Sequence, residues 1–385
     1  MKEILRTNAI YVGNFLRALG VYIPYVVYST FLSQFMPEDQ VGLAFSLSAA
    51  VSLVFLLIAP RIFARFRTHR VLIAAAATGA FGLVMLSFVE TATTAVLFFI
   101  ISWVSGWIVA LALDVILEKI VGLEETSTGM ARGLFLTASN MAVLISSIII
   151  AVTLTNGDYW RVFLLAAAAF ALCGYLALNY YATIPHVATR TVRIMDAIQT
   201  LSHNRSLLGA VVAQFLLQLI FVTSAVFIPL YLHNHLGWSW SAIGTIFALN
   251  MLPFVIFQLP IGWVADHYTG EKEFMLLGTM IAGVSYLALA SGFETAFAIG
   301  AIIVLIHIGG AILEISAESF FFKQVNAGDS NLISFYRTLR QGAAILAPLI
   351  GSLVLATAPF SAAFLTFGII IILGSFGLLL VRDTR

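Results

Sequence analysis

Apolar runs of about twenty residues or more recur along almost the whole chain, and charged residues are confined largely to the gaps between them. A run of that length crosses the hydrocarbon core of a bilayer as a helix. Lipid offers no partner to an exposed N–H or C=O group, so an open strand is excluded. A β-barrel would show segments of about ten residues with alternating polarity, whereas these runs are continuous and rich in Leu, Ile and Ala. The spans read as residues 9–32, 40–60, 71–89, 95–118, 130–153, 160–183, 206–232, 241–264, 273–291, 296–322, 331–357 and 360–381. Twelve such spans with short loops need about 32 residues each, which a chain of 385 residues supplies.

Composition closes the soluble alternative. The chain is 61% hydrophobic and only 10% charged, against about 25% charged in a soluble domain. Too few charges remain to coat a globule of this size, so a cytosolic enzyme is excluded. A net charge of +1 gives no reason to expect nucleic acid as a partner. The single cysteine, Cys173, lies in an apolar run and excludes a disulfide framework or a Cys-based metal site. Residues Met1 to Ala9 lead straight into apolar sequence with no small-residue cleavage site, which reads as a first membrane helix and not a cleaved signal peptide.

Lys and Arg set the orientation. With the N-terminus inside, the cytoplasmic junctions carry Arg61, Arg65, Arg67, Arg70, Lys119, Arg132, Arg190, Arg193, Arg205, Lys272 and Lys323, and the termini add Lys2, Arg6, Arg382 and Arg385. The opposite junctions hold Arg161 alone, with acids such as Glu38, Asp39, Glu90, Asp158 and Glu294. Both termini are therefore expected on the cytoplasmic side of the inner membrane.

The longest polar junction, residues 184–205, divides the chain into an N-terminal six-helix half, 1–183, and a C-terminal half, 206–385. Its tail, residues 192–202, reads as a short amphipathic helix on the inner face. The halves repeat at an offset of about 200 residues. Asn14-Phe15-Leu16 meets Gln214-Phe215-Leu216, Gly42 meets Gly244, Pro60 meets Pro260, and Asp114 and Glu118 meet Glu314 and Glu318. Two halves of the same orientation are related by an axis along the membrane normal, a plan that membrane transporters use with the site at the midplane. The fold class expected is all-α integral membrane, twelve transmembrane helices in two pseudo-symmetric halves.

The segment from Gly262 to Lys272, with Asp266 and Gly270 between them, resembles the loop motif of the major facilitator superfamily: a Gly, a small residue and Asp, then Gly and basic residues. The resemblance extends over the whole chain in length, span number, duplication and central loop. In the first half the motif has decayed, with Arg65 where the pattern has Asp. The antiporter signature Gly-x-x-x-Gly-Pro-x-x-Gly-Gly is absent from 130–153, and a softened version stands at Ala343, Ala347-Pro348 and Gly351-Ser352. The resemblance implies a secondary transporter working by alternating access. It also implies that spans 1, 4, 7 and 10 line the cavity while 3, 6, 9 and 12 face lipid.

Asp266, at a cytoplasmic helix end, reads either as a helix cap or as a latch to a cation such as Arg337 that forms in one conformation and breaks in the other. Asp114 and Glu118 share a helix face, as do Glu314 and Glu318. Intramembrane acids mark ion paths, but these lie near the cytoplasmic boundary. Gating salt bridges with Arg132, Arg337 or Lys323 compete there with proton coupling.

Polar groups at mid-depth are the candidates for the substrate cavity: Asn14, Arg17 and Tyr25 in the first span, Asn140 in the fifth, Gln214 and Gln218 in the seventh, Asn250 in the eighth, His307 in the tenth, and Arg340 and Gln341 in the eleventh. A charge at that depth costs a few kcal/mol or more unless it meets water or a partner. Arg17 therefore faces the cavity, as a ligand for solute or as a strut to a neighbouring helix. His307 reads as a titrating group or a hydrogen-bonded packing element. Tyr22, Tyr25, Tyr28, Trp103 and Trp107 read as an aromatic wall or as ordinary packing.

No catalytic constellation assembles. There is no Gly-x-x-x-x-Gly-Lys-Ser/Thr phosphate loop, and His233 and His235 are two apart, which is not helical ligand spacing. The expectation is a monomeric transporter in the bilayer with no cofactor or metal, moving a small organic solute with protons as the coupling ion. The solute reads as an exported amphipathic compound, or else as a small organic anion held by Arg17 and Arg340. A receptor-like protein that does not transport is the third reading.

Overall fold

The computed structural model describes residues 2–121, 128–154, 157–182, 199–201, 204–293, 295–325 and 330–381. The side chains of residues 2–7, 120–121, 128–132, 258–259, 266, 330–331, 333–334, 337 and 380 lie outside that description. So does most of the central junction, including all but residues 199–201 of the expected amphipathic helix.

The described residues form helices and turns with no strand. In chain order the helices are α1 (Lys2–Tyr25), α2 (Tyr28–Leu32), α3 (Glu38–Arg65), α4 (Thr68–Leu86), α5 (Ala92–Val121), α6 (Thr128–Thr153) and α7 (Tyr159–Leu176). There follow α8 (Arg205–Leu230), α9 (Trp240–Leu249), α10 (Leu252–Ile256), α11 (Gln258–Val264), α12 (Lys272–Ala290), α13 (Ala296–Gln324), α14 (Ser330–Leu355) and α15 (Phe360–Ser375). Among the described residues, 11 helical stretches are long and apolar enough to cross a membrane. The helix expected as the first span, α1, is 24 residues long and so about 36 Å at 1.5 Å per residue. It carries Arg17 eight residues before its end.

Local chemistry accounts for the ends and breaks. Asn204 caps α8, its Oδ1 accepting from Ser206 N–H at 3.1 Å and Leu207 N–H at 3.2 Å. The Thr295 hydroxyl accepts from Ala298 N–H at 3.3 Å at the start of α13. Glu38 and Asp39 occupy the first turn of α3, where acids suit the helix dipole. The expected span 9–32 is broken after Pro24 into α1 and α2. The expected span 241–264 is divided into α9, α10 and α11 around Asn250 and Pro253, because proline removes a backbone donor.

The chain clusters into two compact units. One comprises Met1–Pro37, Leu47–Thr191 and Leu232–Thr245; the other comprises Glu38–Ser46, Val192–Tyr231 and Ile246–Arg385. Within the first, α1 packs on α6, α4 on α5, and α4 on α7. Within the second, α8 packs on α14, α12 on α13, and α12 on α15. These are the same pairings of spans, 1 with 5, 3 with 4 and 3 with 6, repeated six spans later. The sequence repeat is thus a repeat of packing.

The paired glycines Gly42 and Gly244 make a further equivalent pair of contacts. In the second unit a Cβ on Gly42 would stand 2.4 Å from the Pro348 carbonyl oxygen and 2.5 Å from Ser352 Oγ. Nearby, the Ser46 hydroxyl donates to the Ile345 carbonyl at 2.7 Å. In the first unit a Cβ on Gly244 would stand 2.7 Å from both Ala151 N and the Ser147 carbonyl oxygen. Each glycine lets a helix lie directly on backbone, which cannot yield. Gly244→Ala is expected to force α9 away from α6 and cost about 1–3 kcal/mol, read as a lowered melting temperature of the purified protein.

Candidate functional site

In the first unit the polar centre is Arg17 on α1. Its Nη2 donates to Asn14 Oδ1 at 2.8 Å and to Ser139 Oγ at 3.0 Å, and its Nε donates to Asn14 Oδ1 at 3.2 Å. Asn14 is fully buried. Its Nδ2 donates to the Phe135 carbonyl at 2.7 Å and to Ser139 Oγ at 2.8 Å, tying α1 to α6. Arg17 is half-buried, and no carboxylate among the described residues pairs with it. The cation is therefore oriented by neutral groups and keeps its charge uncompensated by them. Asn140 is exposed, and the adjacent Ser139 makes the contact. Sequence reasoning passed over Ser139, because a small hydroxyl leaves no periodic signal.

The aromatic residues divide. Tyr25 stacks on Trp103 with centroids 5.5 Å apart, with Tyr22 edge-on at 5.9 Å, and these rings are partly accessible. Tyr28 is core: it is buried, exchanges a 3.0 Å hydrogen bond with Ser102 Oγ, and packs on Phe99 and Phe163.

In the second unit several polar groups reach one level. His307 meets Ser224 and Gly310 meets Phe221 across the antiparallel α8 and α13. That register puts Glu314 opposite Leu217, between Gln214 and Gln218. Phe227 lies on Gly351 across α8 and α14. These helices run in the same direction, so Gln341 falls at that level too. Gln214 Oε1 and both amide atoms of the buried Gln341 and Asn250 have no partner among the described residues. An unpaired buried amide costs about 1–3 kcal/mol, which a solute's polar groups would relieve.

His307 is buried and satisfied. Its Nδ1 is 3.0 Å from the Ile303 carbonyl and so carries the proton, and its Nε2 faces Ser224 Oγ at 3.4 Å. Arg340 faces Glu318, with Nη2 to Oε1 at 3.8 Å. It therefore has an internal counter-ion, unlike Arg17. Asp114 and Glu314 are half-buried, while Glu118 is exposed. The gate expected between Asp266 and Arg337, and the part given to Arg132, fall on side chains outside the described residues.

A family model described as Major Facilitator Superfamily matches residues 10–245 and 210–385. The chain belongs to the major facilitator superfamily. It is a multi-pass membrane protein with a transporter's fold. Among solved structures, a mutant of the nucleoside transporter NupG matches at 15% identity and a TM-score of 0.80, covering 98% of this chain and 100% of that one. A mutant of the peptide transporter POT in complex with alafosfalin matches at 11% and 0.77, covering 97% and 93%. NupG itself matches at 14% and 0.77, covering 97% and 98%. Identities this low carry the fold alone. No match is found among curated proteins.

Within the superfamily's loop motif, Gly270 has φ 89°, a conformation open to glycine, which makes the sharp turn into α12. Glu271 stands next, where the motif has a basic residue. Glu271 is fully buried, and its Oε1 accepts from Lys323 Nζ and from Ser319 Oγ at 3.1 Å. Lys323 thus serves Glu271, which lies inside the Gly262–Lys272 segment and to which sequence reasoning assigned no role. The signal was present as an acid in a basic position.

Proposed function

We propose that this superfamily member is a secondary active transporter for a small organic solute bearing a negative charge, which docks at Arg17. One observation carries the reading: a half-buried guanidinium at depth, held by Asn14 and Ser139 and paired with no described carboxylate. Solute charge compensates the cation in the bound state. The segments 1–183 and 206–385 rock as the two halves of an alternating-access cycle, with Asp114 and Glu314 carrying protons and Asp266 latching the inner gate. The pairing of Arg340 with Glu318 argues against a clamp of two cations.

Uptake by the purified protein in liposomes under an imposed pH gradient tests this. Small organic carboxylates are expected to be moved, with the rate rising with the gradient. Movement of cationic or neutral amphipathic compounds alone would replace this reading with a second one, which the accessible Tyr25–Trp103 stack favours. Orientation is tested separately. Cys173 is buried, so Asp196→Cys supplies the one reactive thiol. It is expected to resist an impermeant maleimide applied outside intact cells and to react after lysis.

A further inference from the structure

We infer that the α3–α4 hairpin is a docking surface for anionic phospholipid headgroups. Four arginines fall within ten residues here: Arg61 and Arg65 one turn apart at the end of α3, then Arg67 and Arg70 at the start of α4. All four are exposed, and none pairs with a carboxylate among the described residues. Only Phe66 and Arg67 separate the helices, and both are extended, so the cluster is held at the membrane end of two spans.

The two ends differ in what they need. Arg65 lies in the last turn of α3, where a cation suits the helix dipole. Arg67 and Arg70 sit at the N-terminus of a helix of 19 residues, where cations are disfavoured and anions favoured. The N-cap residue of α4 makes no side-chain hydrogen bond to it. An anion from outside the chain resolves both the helix end and the arginine cluster. Phe66 is 51% exposed beside them, with the Arg65 guanidinium 5.7 Å from its ring centroid. An exposed aromatic among unpaired cations is the composition of a membrane-interface anchor. Basic clusters just cytoplasmic of membrane helices bind anionic lipid in this way.

The corresponding loop of the second half makes the contrast. There the pattern keeps Asp266, and the buried Glu271 is neutralised from within by Lys323. The first half has Arg65 where Asp would stand, and its positive charge is left to the bilayer. This inference rests on the membrane placement and not on the solute assigned above.

The test is native mass spectrometry of the purified protein titrated with phosphatidylglycerol or phosphatidylcholine, which needs no transport. Wild type is expected to retain phosphatidylglycerol in preference to phosphatidylcholine, more weakly as salt rises. Each arginine removed is expected to weaken retention about fivefold. The variant with Arg61, Arg65, Arg67 and Arg70 all changed to Gln should therefore show no preference, while changing all four to Lys should preserve most of it. If the fourfold Gln variant fails to fold, Arg67→Gln with Arg70→Gln is expected to lose about 25-fold. Equal retention of the two lipids by wild type, or an unchanged preference in the Gln variants, overturns the inference. Displacement of the lipid by millimolar inorganic phosphate would mark the cluster as a soluble-phosphate site and overturn it as well.

Discussion

Arg17→Gln is expected to cut uptake of an organic anion by about ten- to a hundredfold at low solute concentration while leaving neutral solutes less affected. A hydrogen bond to a charged group contributes about 1.5–3 kcal/mol, and 1.4 kcal/mol is about tenfold in affinity. The glutamine amide stands where the Arg17 Nε donates to Asn14 and supplies no charge, and Asn14 still ties α1 to α6 through Phe135 and Ser139, so that packing is largely retained. The companion is Ser139→Ala, which removes one of the two groups orienting the guanidinium. It is expected to weaken anion uptake less than tenfold and leave selectivity in place. Equal loss for every solute in Arg17→Gln, with a lowered melting temperature, would make Arg17 a strut between α1 and α6. Both variants are read in the same liposome assay beside a thermal melt.

Lys323→Met is expected to be the most damaging single change to stability. It removes the lysine that pairs with the fully buried Glu271, and breaking a buried pair costs about 3–5 kcal/mol. Lys323 is 39% exposed on its side chain, so water screens part of the interaction and the lower end of that range is expected. In a large chain each kcal/mol moves the melting temperature by about 2–4 °C, so a fall of roughly 6–12 °C should follow. The double change Glu271→Gln with Lys323→Met should recover much of it, because no buried charge is then left. A double variant as unstable as Lys323→Met alone would show that the lysine acts through the packing of its aliphatic stem instead.

The chemistry of the site was partly legible before any coordinates. Arg17 and Asn14 stood out because polar groups at depth are costly in an apolar run. That same cost made Gln214, Asn250, His307 and Gln341 visible. What each group does was not legible. Ser139 and Asn140 look equivalent in sequence, yet helix rotation turns Ser139 toward Arg17 and leaves Asn140 exposed. Arg340 resembles Arg17 in depth, but only the crossing of α13 and α14 gives it Glu318. His307 turned out satisfied by Ile303 and Ser224, a packing arrangement that its residue type cannot distinguish from a proton site.

The architecture divides along the same line. The bilayer imposes local rules, namely enough apolar length and every backbone group paired within its own segment. A sequence by itself therefore determines where the helices lie, their broad number and the duplication at an offset of about 200 residues. The rules for side-chain partners are not local. Glu271 and Lys323 are 52 residues apart, and Asn14 and Ser139 are 125 apart. Glu38–Ser46 clusters with residues of the second half, and Gly42 is small because the Pro348 carbonyl lies against it. Helix packing has many rotations compatible with one apolar pattern, and only the tertiary structure chooses the one that gives Arg340 a carboxylate partner and Arg17 neutral ones.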